Sequence, residues 1–140
     1  MNTRPILFLI LALLASPLLH AGISSTSVSW ESVDGAGPGR TSVSAITWRT
    51  SLSSLMVKDP MTSEWIDLRH LGTKENGSSL GAMFVGRCAD GRRVQVTLIG
   101  KPSYAPKRFE YGLTFTNGSK ERMFYGNCND DLEDCFRANR

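Results

Sequence analysis

The sequence predicts a mostly β fold, a small antiparallel barrel or sandwich. Apolar side chains alternate with polar or small ones from Phe109 to Thr116, which is the period-two pattern of a half-buried strand. The pair Asn117-Gly118 follows at once and is the pair best suited to a two-residue hairpin turn. Glycine, proline and serine separate further short runs rich in β-branched residues, as expected of an all-β domain.

The first element expected along the chain is a secretory signal peptide over residues 1–21. An apolar run from Ile6 to Leu19 follows the basic residue Arg4, and Ala21 offers a cleavage position. The run is too short to cross a bilayer core of about 30 Å as a stable helix. We therefore expect one secreted or periplasmic domain over residues 22–140, with no stable membrane insertion.

The strands of this domain are expected in three places. Residues 41–50 and 92–100 are rich in β-branched residues. Residues 109–126 form the predicted hairpin around Asn117-Gly118. The side chains expected to face the core outside the hairpin are Ile46, Trp48, Val94, Val96 and Leu98.

The segment at residues 79–89 is ambiguous between a helix and a strand that enters an Asp90-Gly91 hairpin turn. Its two glycines disfavour a helix by up to about 1 kcal/mol each relative to alanine. We nevertheless expect one short helix here, because a glycine stop followed directly by a β-branched run is typical of a helix-to-strand junction. The residues that recur at helical spacing are Leu80, Met83, Phe84 and Cys88.

The C-terminal segment places four acidic residues between two cysteines. A disulfide between Cys128 and Cys135 is expected in an oxidising compartment, and on the chain-entropy model it would stabilise the fold by about 2.5 kcal/mol. Cys88 would then remain as a buried thiol, with an intermolecular disulfide or a reactive thiol as the alternatives. Leu132 stands where a calcium loop needs glycine, so no metal site is expected.

Few residues are available for enzymatic chemistry. The domain holds one histidine, His70, with Asp67 three residues before it. The sequence contains no nucleophile elbow, Walker loop, dinucleotide fingerprint or His-Glu-x-x-His motif, so no cofactor is expected. A small secreted hydrolase that uses His70 is the alternative to a binding protein.

Positive charge is concentrated in the middle of the chain. Residues 87–126 carry eight basic and three acidic side chains, whereas residues 127–140 carry two basic and four acidic ones. The basic block is either a solvated sheet face or a surface for anions. One of its loops sets cations beside aromatic rings, which suits sugars or the acidic surface of a protein. The candidate ligand-binding residues are Lys101, Tyr104, Lys107, Arg108 and Tyr111.

The run "LGAMFVGRCADGRRVQV", followed by strands, a late pair of close cysteines and Phe136, resembles the B subunits of pertussis-like and subtilase-type AB5 toxins. The resemblance covers the C-terminal half. It implies a secreted, OB-like barrel that forms a homo-oligomer and binds glycans. The chain departs from that family because residues 22–87 contain no cysteine, and none of the family's sugar-contacting residues can be matched. The stretch "CADGRRVQV" is similar to membrane-bound C-type lysozyme inhibitors, which implies a monomeric inhibitor instead.

Together these observations predict a non-enzymatic binding protein outside the cytoplasm. Its expected partner is a protein or a glycan, and no nucleic acid is expected.

Overall fold

The computed structural model describes residues 22–51, 53–76, 79–100 and 109–139. The predicted signal peptide at residues 1–21 and the loop at residues 101–108 lie outside these ranges. Most of the described chain is β structure, with one helix near its C-terminal end. The strands are β1 (Gly22–Ser27), β2 (Trp30–Val33), β3 (Ala45–Thr50), β4 (Leu55–Lys58), β5 (Trp65–Asn76), β6 (Ser79–Arg87), β7 (Arg93–Gly100), β8 (Phe109–Asn117) and β9 (Lys120–Asn127), and the helix is α1 (Asp130–Asn139).

The strands form one antiparallel sheet in the order β1-β3-β4-β5-β6-β7-β8-β9-β2. From β3 to β9 each strand pairs with the next one along the chain, so the sheet is a meander. This up-and-down order differs from the five-stranded Greek-key order of an OB barrel. The predictions of a mostly β, barrel-like fold and of a hairpin around Asn117-Gly118 are confirmed.

The sheet curls because one continuous segment holds both of its edges. β1 pairs with β3 through Gly22↔Thr50 to Ser27↔Ala45, and β2 pairs with β9 through Trp30↔Tyr125. Only Val28 and Ser29 lie between these two strands, and the Ser29 N–H donates to the carbonyl oxygen of Tyr125 at 2.7 Å. The first and last positions of the sheet are therefore brought together.

Inward-facing side chains fill the interior of this barrel. Trp48 and Tyr111 are both fully buried and pack edge to face at 5.4 Å, and the Trp48 indole donates to Thr26 Oγ1 at 2.8 Å. A small barrel has an interior just wide enough for such side chains. Other large side chains that are fully buried are Phe84, Phe124, Ile46, Leu55, Ile66, Leu98 and Leu113.

The barrel has two ends, which differ in what covers them. At the end that we call the helix end, α1 buries one apolar stripe against the β3–β4 turn and the start of β8, and Phe136 packs on Phe109 at 5.5 Å. At the other end, which we call the loop end, the loops at residues 34–44, 59–64 and 88–92 meet the β8–β9 turn.

Across the described residues, no helix is long and apolar enough to span a membrane.

The expectation of a helix at residues 79–89 is wrong, because this segment is strand β6. It pairs with β5 on one side and with β7 on the other. Ala82 and Phe84 are buried, while Met83 and Val85 are only partly buried, which is period-two alternation. The apolar residues of this segment are compatible with the helical period of 3.6 and with the strand period of two. Hydrogen-bonded pairing with both β5 and β7 makes the segment a strand.

The expected disulfide between Cys128 and Cys135 does not form in the structure. Both side chains are thiols. Helix α1 begins between the two cysteines, and the five residue steps from Asp130 to Cys135 advance about 7.5 Å along its axis. Disulfide-bonded Cα atoms usually lie within about 7 Å. The Cys135 thiol instead contacts the carbonyl oxygens of Ser51 and Ser54, each at 3.5 Å. The helix, rather than a covalent bond, closes this end of the barrel.

Cys88 is a buried thiol, as the first of its three interpretations predicts. It is 4% exposed at the start of the β6–β7 turn. Burial raises the pKa of this thiol to about 11, so that it is protonated at neutral pH. Such a thiol is a poor nucleophile, because the reactive species is the thiolate.

Candidate functional site

Of the candidate ligand-binding residues of the sequence, Tyr111 is the one that lies in the described part of the chain. Lys101, Tyr104, Lys107 and Arg108 lie outside the described residues. Tyr111 belongs to the core and not to the surface, which corrects its assignment as a ligand contact. It is fully buried, and its hydroxyl donates to the carbonyl oxygen of Ser27 at 2.9 Å. The inward register of β8 causes this, because Tyr111 alternates with the exposed Glu110.

A groove of about 700 Å³ runs over the outer surface of β5, β6 and β7 near the loop end. We call it the arginine groove, because three of its lining residues are arginines. Leu71, from a bulge in β5, forms its margin toward the helix end. The groove is lined by Asp67, Arg69, Leu71, Val85, Gly86, Arg87, Arg93, Val94, Gln95 and Thr116.

The groove exists because β5 changes partners halfway along its length. From Trp65 to Leu68 it pairs with β4, and only from Arg69 onward does it pair with β6. The floor lies where β6 passes close to this change of partner. A Cβ atom at Gly86 would come within 2.5 Å of the carbonyl oxygen of Asp67. The same Cβ atom would come within 3.0 Å of the buried Ile66 and Leu68 side chains, so glycine at this position lets β6 pack closely against β5 beneath the groove.

The three arginines of the groove present their charges outward. Arg87 and Arg93 are direct cross-strand partners, and Arg69 is paired with Val85 two residues before Arg87. Like charges directly opposite each other on neighbouring strands are destabilising. All three arginines are exposed, and in the described part of the chain none of them forms an ion pair. Their guanidinium groups are therefore available to an external anion.

The arginines at the loop end contrast with those of the groove. Arg92 Nη2 donates to Asp59 Oδ2 at 2.6 Å, and the Asp59 side chain is fully buried. Arg122 Nε donates to Glu31 Oε2 at 2.6 Å, and Glu31 is almost fully buried. These two ion pairs fix the loops, so we assign Arg92 and Arg122 a structural role.

The carboxyl groups of both ion pairs are ionised at neutral pH. Burial acts to raise the pKa of Asp59, but hydrogen bonds from the Met61 N–H and Arg92, together with the charge of Arg92, outweigh it and lower the pKa. Burial likewise acts against the ionisation of Glu31, and hydrogen bonds from Arg122 and Ser42 lower its pKa overall. The loop end is thus held by charged pairs across the neutral range.

The sheet beside the groove has an outer surface almost without charge. Trp30 on β2 and Tyr125 on β9 stack there with ring centroids 4.7 Å apart. The Tyr125 hydroxyl donates to Glu110 at the margin of this surface. The sequence pattern did not predict this surface, because its apolar positions mark the buried face of each strand, whereas the small and threonine residues between them point outward.

His70 does not meet the acid that the hydrolase alternative needs. Its ring packs against the buried Phe84 at 5.1 Å, and its Nε2 lies 2.7 Å from Thr73 Oγ1. Asp67 is exposed on the opposite face of β5, where it lines the arginine groove. No described contact favours the hydrolase over a binding protein.

No protein-family model matches this chain, and no curated protein or solved structure matches it either. Its function is therefore inferred from the geometry and charge of its surface.

Proposed function

We propose that this chain is a non-enzymatic binding protein of the secreted or periplasmic compartment that recognises an anionic partner, a protein or a glycan, through the arginine groove. The observation that carries the proposal is the cross-strand pair of Arg87 and Arg93, which has Arg69 beside it and no ion pair among the described residues. Two opposed cations cost folding free energy, so an external anion that bridges them supplies the missing partner.

The chemistry of the groove suits carboxylate, sulfate or phosphate groups. A guanidinium group donates two parallel hydrogen bonds to such a group, and hydrogen bonds to charged groups contribute about 1.5–3 kcal/mol each. Gln95 and Thr116 line the same groove and add polar groups that fix orientation. Sialylated or sulfated glycans and acidic protein surfaces both present anions of this kind.

The proposed secreted or periplasmic localisation is supported by the sequence of residues 1–21. The basic, apolar and small-residue regions at residues 1–21 follow the order of a secretory signal peptide. A protein delivered outside the cytoplasm in this way would meet surface glycans and other exported proteins. A cyclic homo-oligomer, as the resemblance to toxin B subunits implies, would present several copies of the groove on one particle.

Salt-dependent retention tests the groove. The purified protein is applied to one column of immobilised heparin and one of immobilised poly-L-glutamate, and the sodium chloride concentration at elution is measured. We expect Arg87→Ala/Arg93→Ala to elute at much lower salt than the unchanged protein on at least one column. Arg40→Ala/Arg49→Ala, which removes the same charge elsewhere, should elute close to the unchanged protein. Equal elution of the two double variants on both columns would contradict the proposal.

A further inference from the structure

Two rows of side chains cross the outer surface of the sheet without any ionisable acid or base except tyrosine. The first row is Met83↔Thr97↔Gly112↔Tyr125↔Trp30, and the second is Val85↔Gln95↔Thr114↔Met123↔Ser32. We call these ten residues the sheet face. Nine of them are half-buried, and Gln95 is exposed. The outer face of an antiparallel sheet is usually polar when water covers it, so this composition needs a reason.

The composition of the sheet face is that of a protein interface. Aromatic residues and methionine are enriched at the centres of such interfaces, whereas lysine, glutamate and aspartate are depleted. Trp30, Tyr125, Met83 and Met123 give the sheet face the enriched types. The outer side of β3 and β4 differs, because it carries Arg49 and Lys58.

The sheet face has relief that can hold an apolar side chain. Nothing lies within 4 Å of the place where a Cβ atom of Gly112 would be, so the surface dips between Tyr125 and Thr97. A hollow of about 480 Å³ is lined by Gly72, Gly81 and Met83 among others. Leu71, which is 56% exposed, lines both this hollow and the arginine groove. The apolar and cationic areas therefore form one continuous surface.

The size of this surface fits a modest interface. Five strands and two outward positions along each of them span about 20 by 14 Å, at about 4.8 Å per strand and 3.4 Å per residue. Together with the groove over β5, this surface fits the small class of protein–protein interfaces, which bury less than the roughly 800 Å² per partner of standard size.

We propose that the partner is an acidic protein that packs apolar side chains on the sheet face and places carboxylates in the arginine groove. This inference rests on the proposed function and chooses a protein over a glycan. Met83, Val85 and Met123 offer dispersion contacts but no hydrogen bonds for sugar hydroxyls. A second copy of this chain is disfavoured as the occupant, because the chain carries a net charge of +3 and would bring the same arginines.

The test uses a phage-displayed library of random peptides as the probe, selected on the immobilised protein. Thr114→Arg puts a long cation at the centre of the sheet face, and Thr47→Arg is the matched control on β3, another half-buried strand threonine. We expect selection of peptides that combine aspartate or glutamate with aromatic or aliphatic residues. Their affinity should fall about tenfold on Thr114→Arg, as for the loss of a central interface contact, and be unchanged on Thr47→Arg.

The outcomes separate this inference from the proposed function. Equal peptide affinity for Thr114→Arg and Thr47→Arg, or selection of purely acidic peptides, overturns the sheet face as an interface. If the sheet face is overturned but Arg87→Ala/Arg93→Ala loses salt-dependent retention, the arginine groove binds the anionic partner without the sheet face. The proposed function is then supported. If neither retention nor peptide binding depends on Arg87 and Arg93, the proposed function falls. Self-association in sedimentation that Thr114→Arg abolishes would make a second copy the occupant and overturn the choice of partner.

Discussion

At Gly126 the backbone of β9 passes so close to the β1–β2 segment that a side chain cannot fit. A Cβ atom there would come within 2.1 Å of the carbonyl oxygen of Ser27 and within 2.9 Å of the Tyr111 hydroxyl. The same Ser27 carbonyl accepts the hydrogen bond of Tyr111. One glycine thus allows the contact through which the two edges of the sheet meet.

Gly126→Ala is expected to destabilise the protein by about 2–3 kcal/mol, because overpacking forces the backbone of Ser27 away and breaks its hydrogen bond. Urea unfolding measures this change. Gly112→Ala is the control, since nothing lies within 4 Å of its added Cβ, and it should cost less than about 1 kcal/mol. Equal losses for the two variants would mean that the close approach at Gly126 is unimportant.

Arg92 and Arg93 are neighbours in the chain, but their substitution is expected to have different effects on the stability of the fold. Arg92→Gln removes the partner of the fully buried Asp59 carboxylate and is expected to cost about 2–4 kcal/mol at neutral pH. Arg93→Gln removes a cation opposed by Arg87 and should leave stability unchanged or slightly higher. Urea midpoints at neutral pH compare the two variants.

The cost of Arg92→Gln should shrink in acid. In the unchanged protein the pKa of Asp59 lies below its ordinary value of 3.8, so its stabilising contribution is present above about pH 4 and is lost as the pH falls through the folded-state pKa. Below that range both proteins carry a protonated Asp59. A difference between the two urea midpoints that stays constant from neutral to acidic pH would contradict the role of this ion pair.

At the scale of elements, the acidic residues between Cys128 and Cys135 belong to the capped start of helix α1. Asn129 caps the helix by accepting the Leu132 N–H at 2.9 Å, and its side-chain amide donates to the carbonyl oxygen of Ser25 at 2.9 Å. The first turn carries Asp130, Asp131 and Glu133, which the helix dipole favours. The acidic residues between Cys128 and Cys135 thus mark the start of a helix.

Asn129→Ala is expected to destabilise the protein by about 1–2 kcal/mol, because it removes the cap of α1 and its link to β1. Asp134→Ala, an exposed position inside the helix, is the matched control and should change stability by less than about 0.5 kcal/mol. Thermal unfolding followed by circular dichroism gives both values. A loss for Asp134→Ala as large as that for Asn129→Ala would show that charge, not capping, stabilises the helix.

A strand in which apolar and polar residues alternate strictly was predictable from the sequence. A segment whose apolar residues fit both the helical and the strand period was not. Phe109 to Thr116 alternates with apolar residues at every second position, so β8 and its turn follow directly. Residues 79–87 satisfy both periods, and only pairing with two neighbours selects the strand. The groove depended on that choice, because Arg87 faces Arg93 only when β6 and β7 form a hairpin around Asp90-Gly91.

At the scale of the whole molecule, burial keeps several weak acids protonated in the folded state. Burial raises the pKa of Cys88 to about 11 and that of Tyr111 to about 12. It also raises the pKa of Tyr125 to about 12, with the neighbouring Glu110 adding to the effect. The unfolded chain loses these protons at lower pH than the folded one does.

Stability is therefore expected to be flat around neutral pH and to fall as the pH rises above about 9. In that range the unfolded state binds fewer protons than the folded state, so the free energy of unfolding decreases with pH. Urea midpoints between neutral pH and pH 11 measure the slope. Tyr111→Phe should reduce the slope above pH 10, and an unchanged slope would exclude Tyr111 as a source.

The segment from Gly22 to Val33 has a consequence for the order of events during synthesis. Trp30 pairs with Tyr125, so a strand near the start of the domain waits until its last strand has left the ribosome. Until then the meander from β3 onward can form step by step from local contacts, while β2 keeps an unpaired edge. The final step is a single long-range closure, and the chain stays incompletely folded until β9 has left the ribosome.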